Sequence, residues 1–369
     1  MQIDFANLKI QHNLYKEEIE EAILKVARDC NFIMGSQIDE LERNLEKFTG
    51  SKYAISCSSG TDALLLAMMA LDIQPDDEII TTPFTFFATA ETIAFLKAKP
   101  VFVDIDEKTY NIDPKKIEEK ITPKTKAIIP VSLYGQPADM DEINQIAKKH
   151  NLKVIVDGAQ SFGSTYKGIS DSNLGDISCT SFFPAKPLGC YGDGGALFTN
   201  DEKLADKIKS LRLHGQSIRY HHQYIGMGGR LDTIQAAVLN VKLKYYEKDL
   251  KLRQEVASKY TKAIKTKNQK LETPFISDKC TSAWAQYSIR VQNRTELQTK
   301  LQNLGIPTAV HYPMPLHVQE CFKYLNLKEG DFPISEKVSK EIMSLPMNPY
   351  VSDEEIEFIV ENLAKELRC

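Results

Sequence analysis

The chain has 369 residues, of which 42% are hydrophobic and 26% are charged. This length and apolar content exclude a disordered or fibrous protein and predict two domains or one large α/β unit. The 46 basic and 50 acidic side chains give a net charge of −4, and no long block carries one sign. Nucleic acid and anionic membranes are therefore not expected as partners.

The first thirty residues lack a basic segment followed by an apolar one, and no run of about eighteen apolar residues occurs. The cysteines are odd in number, widely spaced and without a CxxC pair, which fits neither a disulfide framework nor a structural zinc site. They are Cys30, Cys57, Cys179, Cys190, Cys280, Cys321 and Cys369. We therefore expect a cytoplasmic protein without metal, whose reduced thiols mostly fill the core.

Between about residues 50 and 200, β-rich runs alternate with amphipathic helical ones, which predicts a mostly parallel sheet covered by helices on both faces. The predicted strands are Lys52–Cys57, Glu78–Thr82, Pro100–Asp104, Lys126–Leu133, Lys153–Asp157, Ile177–Phe183 and Gly195–Thr199. The predicted helices are Thr61–Leu71, Ala88–Lys97, Pro114–Lys120, Met140–His150 and Glu202–Leu213, with Asp113 and Asp139 as helix starts. Loops after the strands should share one sheet edge, where ligands bind.

The region from Arg230 to about Ile264 has no proline or glycine and predicts one long helix or two abutting helices. A smaller α+β segment follows, with strand-like and helical stretches. They are Ala283–Val291, the helix Thr295–Leu304, Pro307–Tyr312 and the terminal helix Asp353–Leu367. We place the domain boundary inside the long helix, so that residues 1–245 form the large domain and residues 246–369 the small one.

Residues 58–62, SSGTD, follow an apolar strand and open a helix. Free N–H groups and the helix dipole at such a place favour an anion, and a phosphate would dock there. An ordinary helix N-cap formed by Ser59 or Thr61 explains the same residues. The spacing of a Walker loop is absent.

Two further residues lie where parallel strands end. Asp157 closes an apolar strand, so its carboxylate is either a partner for a cation or protonated ring nitrogen, or a helix cap. Lys186 lies in an apolar loop between two prolines, where desolvation lowers the pKa of an amine that attacks carbonyl groups. A solvated surface lysine is the alternative.

Along the chain, a phosphate cradle at residues 58–62 is followed by Asp157 and then by Lys186. Together they supply what pyridoxal phosphate needs: an anchor for its phosphate, a carboxylate at the ring nitrogen and a lysine for the Schiff base. Five motifs accompany them: SSGTDAL (58–64), PFTFFATAET (83–92), VDGAQSFG (156–163), SFFPAKPLGCYGDGGALFTND (181–201) and RLDTIQAAVL (230–239). As a set they resemble the DegT/DnrJ/EryC1/StrS sugar-nucleotide aminotransferases, and the resemblance extends over nearly the whole chain.

The resemblance implies a fold type I, aspartate-aminotransferase-like homodimer with a mostly parallel seven-stranded sheet and active sites at the subunit interface. By position, Lys186 would form the Schiff base and move the proton, while Asp157 would pair with the pyridinium nitrogen. Gln160 would hydrogen-bond the 3′-hydroxyl of the ring. Phe86 would stack on the ring, although core packing explains an aromatic residue there as well.

The phosphate would be held by Ser181 together with Ser59, Gly60 and Thr61. One departure from the family stands in the run Gly226-Met227-Gly228-Gly229-Arg230, because many members have an asparagine at position 228 whose side chain reaches the phosphate of the other subunit. Gly228 offers only its backbone N–H, so that contact is in doubt.

The resemblance also implies residues that contact the substrate. His311 and Tyr312 lie in the segment HYPMPLH, near the expected sugar or diphosphate, and Arg230 is suited to an anionic group. Arg219 and His221 form a cationic, aromatic loop suited to a diphosphate or carboxylate. A structural histidine and a solvated surface loop are the alternatives.

Within the family, the chain most resembles the subgroup that aminates the 3-keto group of UDP-linked N-acetylhexosamines. The implied reaction uses L-glutamate, releases 2-oxoglutarate and makes a UDP-2,3-diamino sugar for surface polysaccharide, lipid A or other glycans. The alternatives are another nucleotide keto-deoxysugar, dTDP-linked and aminated at C3 or C4, and a non-catalytic sugar-nucleotide binding or regulatory protein. A pyridoxal-dependent sugar dehydratase of the same fold is the nearest rival function. Such a dehydratase has a histidine at the position of Lys186, so Lys186 argues against this alternative.

Overall fold

The computed structural model describes Met1 and residues 3–367, and Cys369 therefore lies outside the described residues. The α-helices are α1 Leu8–Leu14, α2 Lys16–Asp29, α3 Ser36–Thr49, α4 Gly60–Ala70, α5 Ala88–Phe95, α6 Met140–His150, α7 Glu202–Arg212, α8 Thr233–Lys267, α9 Arg294–Asn303, α10 Pro333–Glu341 and α11 Asp353–Glu366. The strands are β1 Tyr53–Cys57, β2 Glu78–Thr81, β3 Lys99–Phe102, β4 Thr125–Ile128, β5 Lys153–Asp157, β6 Thr165–Tyr166, β7 Ile169–Ser170, β8 Ile177–Ser181, β9 Gly195–Thr199, β10 Gln216–Ile218, β11 His221–His222, β12 Tyr287–Arg290 and β13 Ile342–Leu345.

All seven strands predicted between residues 50 and 200 are present and form one sheet in the order β1-β9-β8-β5-β4-β2-β3. Only β9 runs antiparallel to its neighbours β1 and β8, so the prediction of a mostly parallel sheet is confirmed. The strands are almost entirely buried, as their apolar runs indicated. Their bounds differ from the predicted ones mainly at the carboxyl ends.

Helices cover both faces of this sheet. On one face, α4 and α7 pack through residues such as Leu66 and Ile208. On the other face, α3 and the first half of α8 pack through Leu41 and Leu239. The two-sided cover places the strand ends, rather than a sheet face, in reach of ligands.

The region predicted as the helix Pro114–Lys120 forms two short 3₁₀ turns instead, Pro114–Lys116 and Glu118–Lys120. Seven residues that bury only Ile117 gain too little packing to offset the cost of starting an α-helix. Asp113 nevertheless caps the first turn, because its Oδ1 accepts a hydrogen bond from the backbone N–H of Lys115 at 3.1 Å. Asp139 starts α6, but its carboxylate pairs with Tyr166 and Lys279 instead of capping it.

The stretch after Arg230 forms the single helix α8, whose 35 residues connect two hydrophobic cores. Its first half packs on the large sheet, whereas Val256, Tyr260 and Ile264 join β12, α9, β13 and α11 in a second core. Ile3 also packs in that second core. The proposed division at residues 245 and 246 falls within α8 and stays a prediction.

Pro307–Tyr312 does not form a strand. Only Ala309 pairs in β fashion, with Ser344 of β13, and the antiparallel partner of β12 is β13. Proline at position 307 supplies no N–H group for a ladder, which favours an irregular extended segment. This segment carries His311 and Tyr312 toward the carboxyl edge of the large sheet.

Six cysteines fall within the described residues, and all six are free thiols. Three of them, Cys57, Cys179 and Cys190, are buried in the core. Across Met1 and residues 3–367, no helix combines the length and apolar character needed to span a membrane.

Candidate active site

A cavity of about 480 Å³ opens at the carboxyl edge of the parallel strands. Ten of the fourteen predicted site residues line it: Ser59, Gly60, Thr61, Phe86, Asp157, Gln160, Ser181, Lys186, His311 and Tyr312. The other four, Arg219, His221, Gly228 and Arg230, are not among its lining residues. The fold thus brings together residues that lie up to 253 positions apart in the sequence, from Ser59 to Tyr312.

One end of the cavity is formed where β1 leads into α4. Ser59 is the N-cap of this helix, because its Oγ accepts a hydrogen bond from the backbone N–H of Asp62 at 3.0 Å. A Cβ atom on Gly60 would lie only 2.6 Å from Cβ of Ser181, so glycine is needed for the helix start to approach the end of β8. The cap and an anion site are compatible, since the first-turn N–H groups and Ser181 still border the cavity.

Asp157 lies at the end of β5 and is 5% exposed. Its Oδ2 accepts a hydrogen bond from Thr89 at 2.7 Å, and its Oδ1 accepts one from the backbone N–H of Ala159 at 3.2 Å. Burial raises the pKa of Asp157, while these hydrogen bonds and the charge of Lys186 act in the opposite direction. Residues 159–163 form turns and no helix follows β5 directly, so this carboxylate does not cap a helix.

Lys186 follows β8 in a tight turn, in which its backbone N–H donates to the carbonyl of Phe183 at 2.8 Å. Among the residues that the structure describes, its side chain has no hydrogen-bond or ion-pair partner. Burial lowers the pKa of Lys186, and the negative charge of Asp157 partly restores it. The cavity therefore holds an unpaired amine with an increased neutral fraction, as a nucleophile for carbonyl groups requires.

Gln160 and Tyr312 form a polar pair beside Asp157. The Gln160 Oε1 accepts from the backbone N–H of Tyr134 at 2.8 Å, and its Nε2 donates to the hydroxyl oxygen of Tyr312 at 3.0 Å. Phe86 is 53% exposed, with its ring centroid 6.0 Å from that of Tyr312, so it is not a core residue. An aromatic face is thus available to a planar ligand.

His311 is held by Ser344, whose hydroxyl oxygen lies 3.0 Å from its Nδ1. Burial lowers the pKa of His311 to about 4, and the nearby positive charge of Lys186 contributes to this shift. The imidazole is therefore neutral at neutral pH. It offers hydrogen bonds to a ligand but no fixed positive charge.

Arg219 and His221 lie on the exposed hairpin formed by β10 and β11. Tyr220 at its tip is 76% exposed and stacks with the Arg219 guanidinium. Gly228 is exposed, and Gly229 next to it accepts a hydrogen bond from the N–H of Ser58 at 3.0 Å. The segment that carries Arg230 thus packs against the anion end of the cavity, although the Arg230 side chain does not line it.

Thr89 and Gln286 are among the residues of the site that were not predicted from the sequence. Thr89, which binds the Asp157 carboxylate, lies inside the motif PFTFFATAET, but nothing in that motif indicates a contact with β5. Gln286 lines the cavity from the position before β12 and has no neighbouring motif. Within the described residues, no group of three or more His, Cys, Asp or Glu side chains is placed to hold a metal ion.

Comparison with known proteins agrees with this geometry. The profile of the DegT/DnrJ/EryC1/StrS aminotransferase family matches residues 13–364. A Pseudomonas aeruginosa UDP-2-acetamido-2-deoxy-3-oxo-D-glucuronate aminotransferase is 51% identical over 97% of this chain and 98% of its own length. An Aneurinibacillus thermoaerophilus dTDP-3-amino-3,6-dideoxy-alpha-D-galactopyranose transaminase is 42% identical over 97% of this chain and 98% of its own length.

Among solved structures, Bacillus subtilis NtdA with bound cofactor PMP superposes with a TM-score of 0.92 at 31% identity, covering 100% of this chain and 86% of that one. The fold and the cavity define a pyridoxal-phosphate-dependent aminotransferase. The chain belongs to the DegT/DnrJ/EryC1/StrS aminotransferase family. The sequence-based predictions of family, fold class, enzyme class and cofactor are thereby confirmed.

The cavity also fits the cofactor on its own geometry. It offers an anion cradle at Gly60 and Ser181, a buried carboxylate at Asp157 and an unpaired amine at Lys186. These are the three groups that pyridoxal phosphate needs: a phosphate anchor, a partner for its ring nitrogen and an amine for its aldehyde.

Proposed function

We propose that the protein moves the amino group of L-glutamate to the 3-keto position of a UDP-linked N-acetylhexosamine, UDP-3-keto-N-acetylglucosamine or its uronate. The product is a UDP-2,3-diamino sugar for surface polysaccharide, lipid A or other glycans. The observation that carries this proposal is the 51% identity, over nearly the whole chain, with an aminotransferase named for a UDP-linked 3-oxo-glucuronate. A second relative, 39% identical, is named for UDP-N-acetyl-3-dehydro-glucosamine.

In this proposal each residue has one task. Pyridoxal phosphate supplies the carbonyl group that carries the amine and the ring that withdraws electrons. Lys186 would move the proton between the reacting carbon of the substrate and the cofactor carbon that bears the nitrogen, in opposite directions in the two half-reactions, because burial lowers its pKa and so increases the neutral fraction of its Nζ. Asp157 holds the ring nitrogen protonated, and Gln160 hydrogen-bonds the ring hydroxyl.

The remaining assignments concern binding. Ser181, Ser59 and the N–H groups of Gly60 and Thr61 hold the phosphate, and Phe86 stacks on the ring. His311 and Tyr312 contact the sugar nucleotide from the same cavity. We further propose that the protein works in the cytoplasm.

We also propose that the enzyme is a homodimer in which the segment containing Arg219, His221, Gly228 and Arg230 serves the site of the second copy. The exposed apolar side chains of Ile218 and Ile225, 70% and 91% exposed, support this assignment because a dimer would bury them. Two-fold dimers are the commonest oligomers of soluble enzymes.

Two absorbance experiments test the reaction. Adding L-glutamate to the cofactor-loaded enzyme should bleach its visible band, and a UDP-linked 3-keto-N-acetylhexosamine should then restore it, which reports the two half-reactions separately. A dTDP-linked keto-deoxysugar is the control, because a relative 42% identical is a transaminase named for a dTDP-linked 3-amino-3,6-dideoxy sugar. Restoration by the dTDP sugar alone contradicts the proposed substrate, and restoration by neither sugar after bleaching with glutamate contradicts it as well.

A further inference from the structure

Gln286 lies in the cavity wall that the carboxy-terminal part of the chain forms, together with His311 and Tyr312. Its Oε1 is buried and has no hydrogen-bond partner within the described residues. The other two polar side chains of this wall are paired, His311 with Ser344 and Tyr312 with Gln160. A buried, unpaired amide oxygen is costly in free energy, so its presence in the cavity that Lys186 also lines calls for a hydrogen-bond donor that arrives with a ligand.

The chemistry of the unpaired atom selects among the ligands of the site. An amide oxygen only accepts hydrogen bonds. Both carboxylates of glutamate are acceptors as well, and its amino group is the part that reacts at Lys186. A sugar ring, in contrast, presents hydroxyl groups and, in an N-acetylhexosamine, an amide N–H, all of which donate.

We infer that Gln286 is a specificity-determining residue that binds the keto-sugar and not the amino donor, by accepting a hydrogen bond from a hydroxyl or acetamido N–H beside the reacting carbonyl. This inference rests on the proposed function. It explains how one cavity receives two unlike substrates in turn, because the carboxylates of glutamate gain nothing from this oxygen. The neutral His311 on the same wall fits a sugar better than a carboxylate.

The test replaces Gln286 with methionine, which keeps the length of the side chain but lacks the acceptor. The matched control is Gln292→Met, an exposed glutamine just beyond the same strand β12. Stopped-flow absorbance follows L-glutamate with the pyridoxal phosphate form, and a UDP-linked 3-keto-N-acetylhexosamine with the pyridoxamine phosphate form. Calorimetry measures the Kd of UDP-N-acetylglucosamine, and thermal melts compare the folds.

In Gln286→Met we expect kcat/KM for the keto-sugar half-reaction to fall about tenfold, as for a lost substrate hydrogen bond. The kcat/KM of the glutamate half-reaction should stay within about twofold of wild type. The Kd of UDP-N-acetylglucosamine should rise by a factor similar to the fall in kcat/KM for the keto-sugar. Gln292→Met should match wild type in all three. Gln286→Glu retains an acceptor oxygen and should bind UDP-N-acetylglucosamine more tightly than Gln286→Met does.

Equal losses in both half-reactions, or no change in the sugar half-reaction and in the Kd, overturn the inference. Failure of the proposed function looks different: the wild-type pyridoxamine form would not react with the UDP sugar. If it reacts with a dTDP-linked keto-sugar instead, the same variants are compared on that sugar, whose hydroxyl groups also donate. A loss confined to that sugar supports the role of Gln286 even though the proposed nucleotide is wrong.

Discussion

Two regions of the molecule carry the side chains predicted for function, and they differ in how complete they are. At the carboxyl edge of the sheet, a single chain gathers Asp157, Lys186 and the Ser59–Thr61 turn around one cavity. In the segment 214–230, by contrast, Arg219 and His221 point from an exposed hairpin and line no part of that cavity. The comparison teaches that one chain brings together the side chains predicted to bind the cofactor, whereas the predicted side chains of its hairpin stay outside that cavity.

The largest effect should come from Lys186→Ala. This change removes the amine that we propose reacts with the cofactor and moves the proton, so turnover should fall at least about 1,000-fold. The measurements are kcat and the visible spectrum of the purified protein before and after glutamate. Lys248→Ala, on the exposed surface of α8, is the control and should keep full activity. Substantial turnover by Lys186→Ala would show that the carboxyl edge of the sheet is not the reacting centre.

Mixed dimers test the other region directly. If Arg230 serves the site of the partner subunit, Lys186→Ala and Arg230→Ala homodimers are each nearly inactive, but their heterodimer contains one intact site. Random reassociation should therefore recover roughly a quarter of wild-type activity. Activity after unfolding and co-refolding is compared with that of each variant refolded alone. Absence of recovery, with heterodimers present by mass spectrometry, would place Arg230 in the site of its own chain.

A smaller loss, roughly 100-fold in kcat, is expected for Asp157→Asn, because a neutral amide does not hold the ring nitrogen protonated. Asp206→Asn, on the exposed side of α7, is the matched control. The measurement is kcat with glutamate and a keto-sugar, compared among wild type and the two variants. A kcat unchanged from wild type would mean that the buried carboxylate supports the strand end without acting on the cofactor.

The smallest effect concerns Asp171, a buried carboxylate behind the turn that carries Asp157 and Gln160. Its oxygens accept hydrogen bonds from the hydroxyl groups of Ser132, at 2.8 Å, and Ser161. The carboxylate also lies close to the backbone of this turn, because a Cβ atom added at Gly158 would be only 2.8 Å from its Oδ2. Burial raises the pKa of Asp171 from 3.8 to about 6. A carboxyl group that holds its proton more tightly in the folded state stabilises the fold at low pH and loses that contribution as the pH rises.

The protonated carboxyl group of Asp171 should therefore contribute about 3 kcal/mol to the free energy of unfolding at low pH, and this contribution should be lost between pH 3.8 and about pH 6. In Asp171→Asn this pH dependence disappears, so the free energy of unfolding of the variant should gain about 2 kcal/mol relative to wild type between pH 4.5 and pH 7. Urea unfolding at several pH values measures it. Parallel pH profiles for both proteins would show that Asp171 stays ionised in the folded state.

Much of the sheet was predictable because its strands are buried on both faces and appear as apolar runs between helices. β5 and β9 have the predicted bounds, and α6 matches residue for residue. The three amino-terminal helices, α10 and β13 were not predicted. The strand β13 becomes a strand because β12 lies beside it, a partner more than fifty residues earlier in the chain.

The sequence by itself determined the family, the cofactor and the order of the groups that bind it, because a strand end, a helix start and a lysine between prolines are local patterns. Only the tertiary structure decided that Thr89 holds the Asp157 carboxylate, that Gln286 faces the cavity and that the hairpin does not. These contacts join residues that lie far apart in the chain. Their energies depend on burial and on which donors meet which acceptors, and neither exists until the chain has folded.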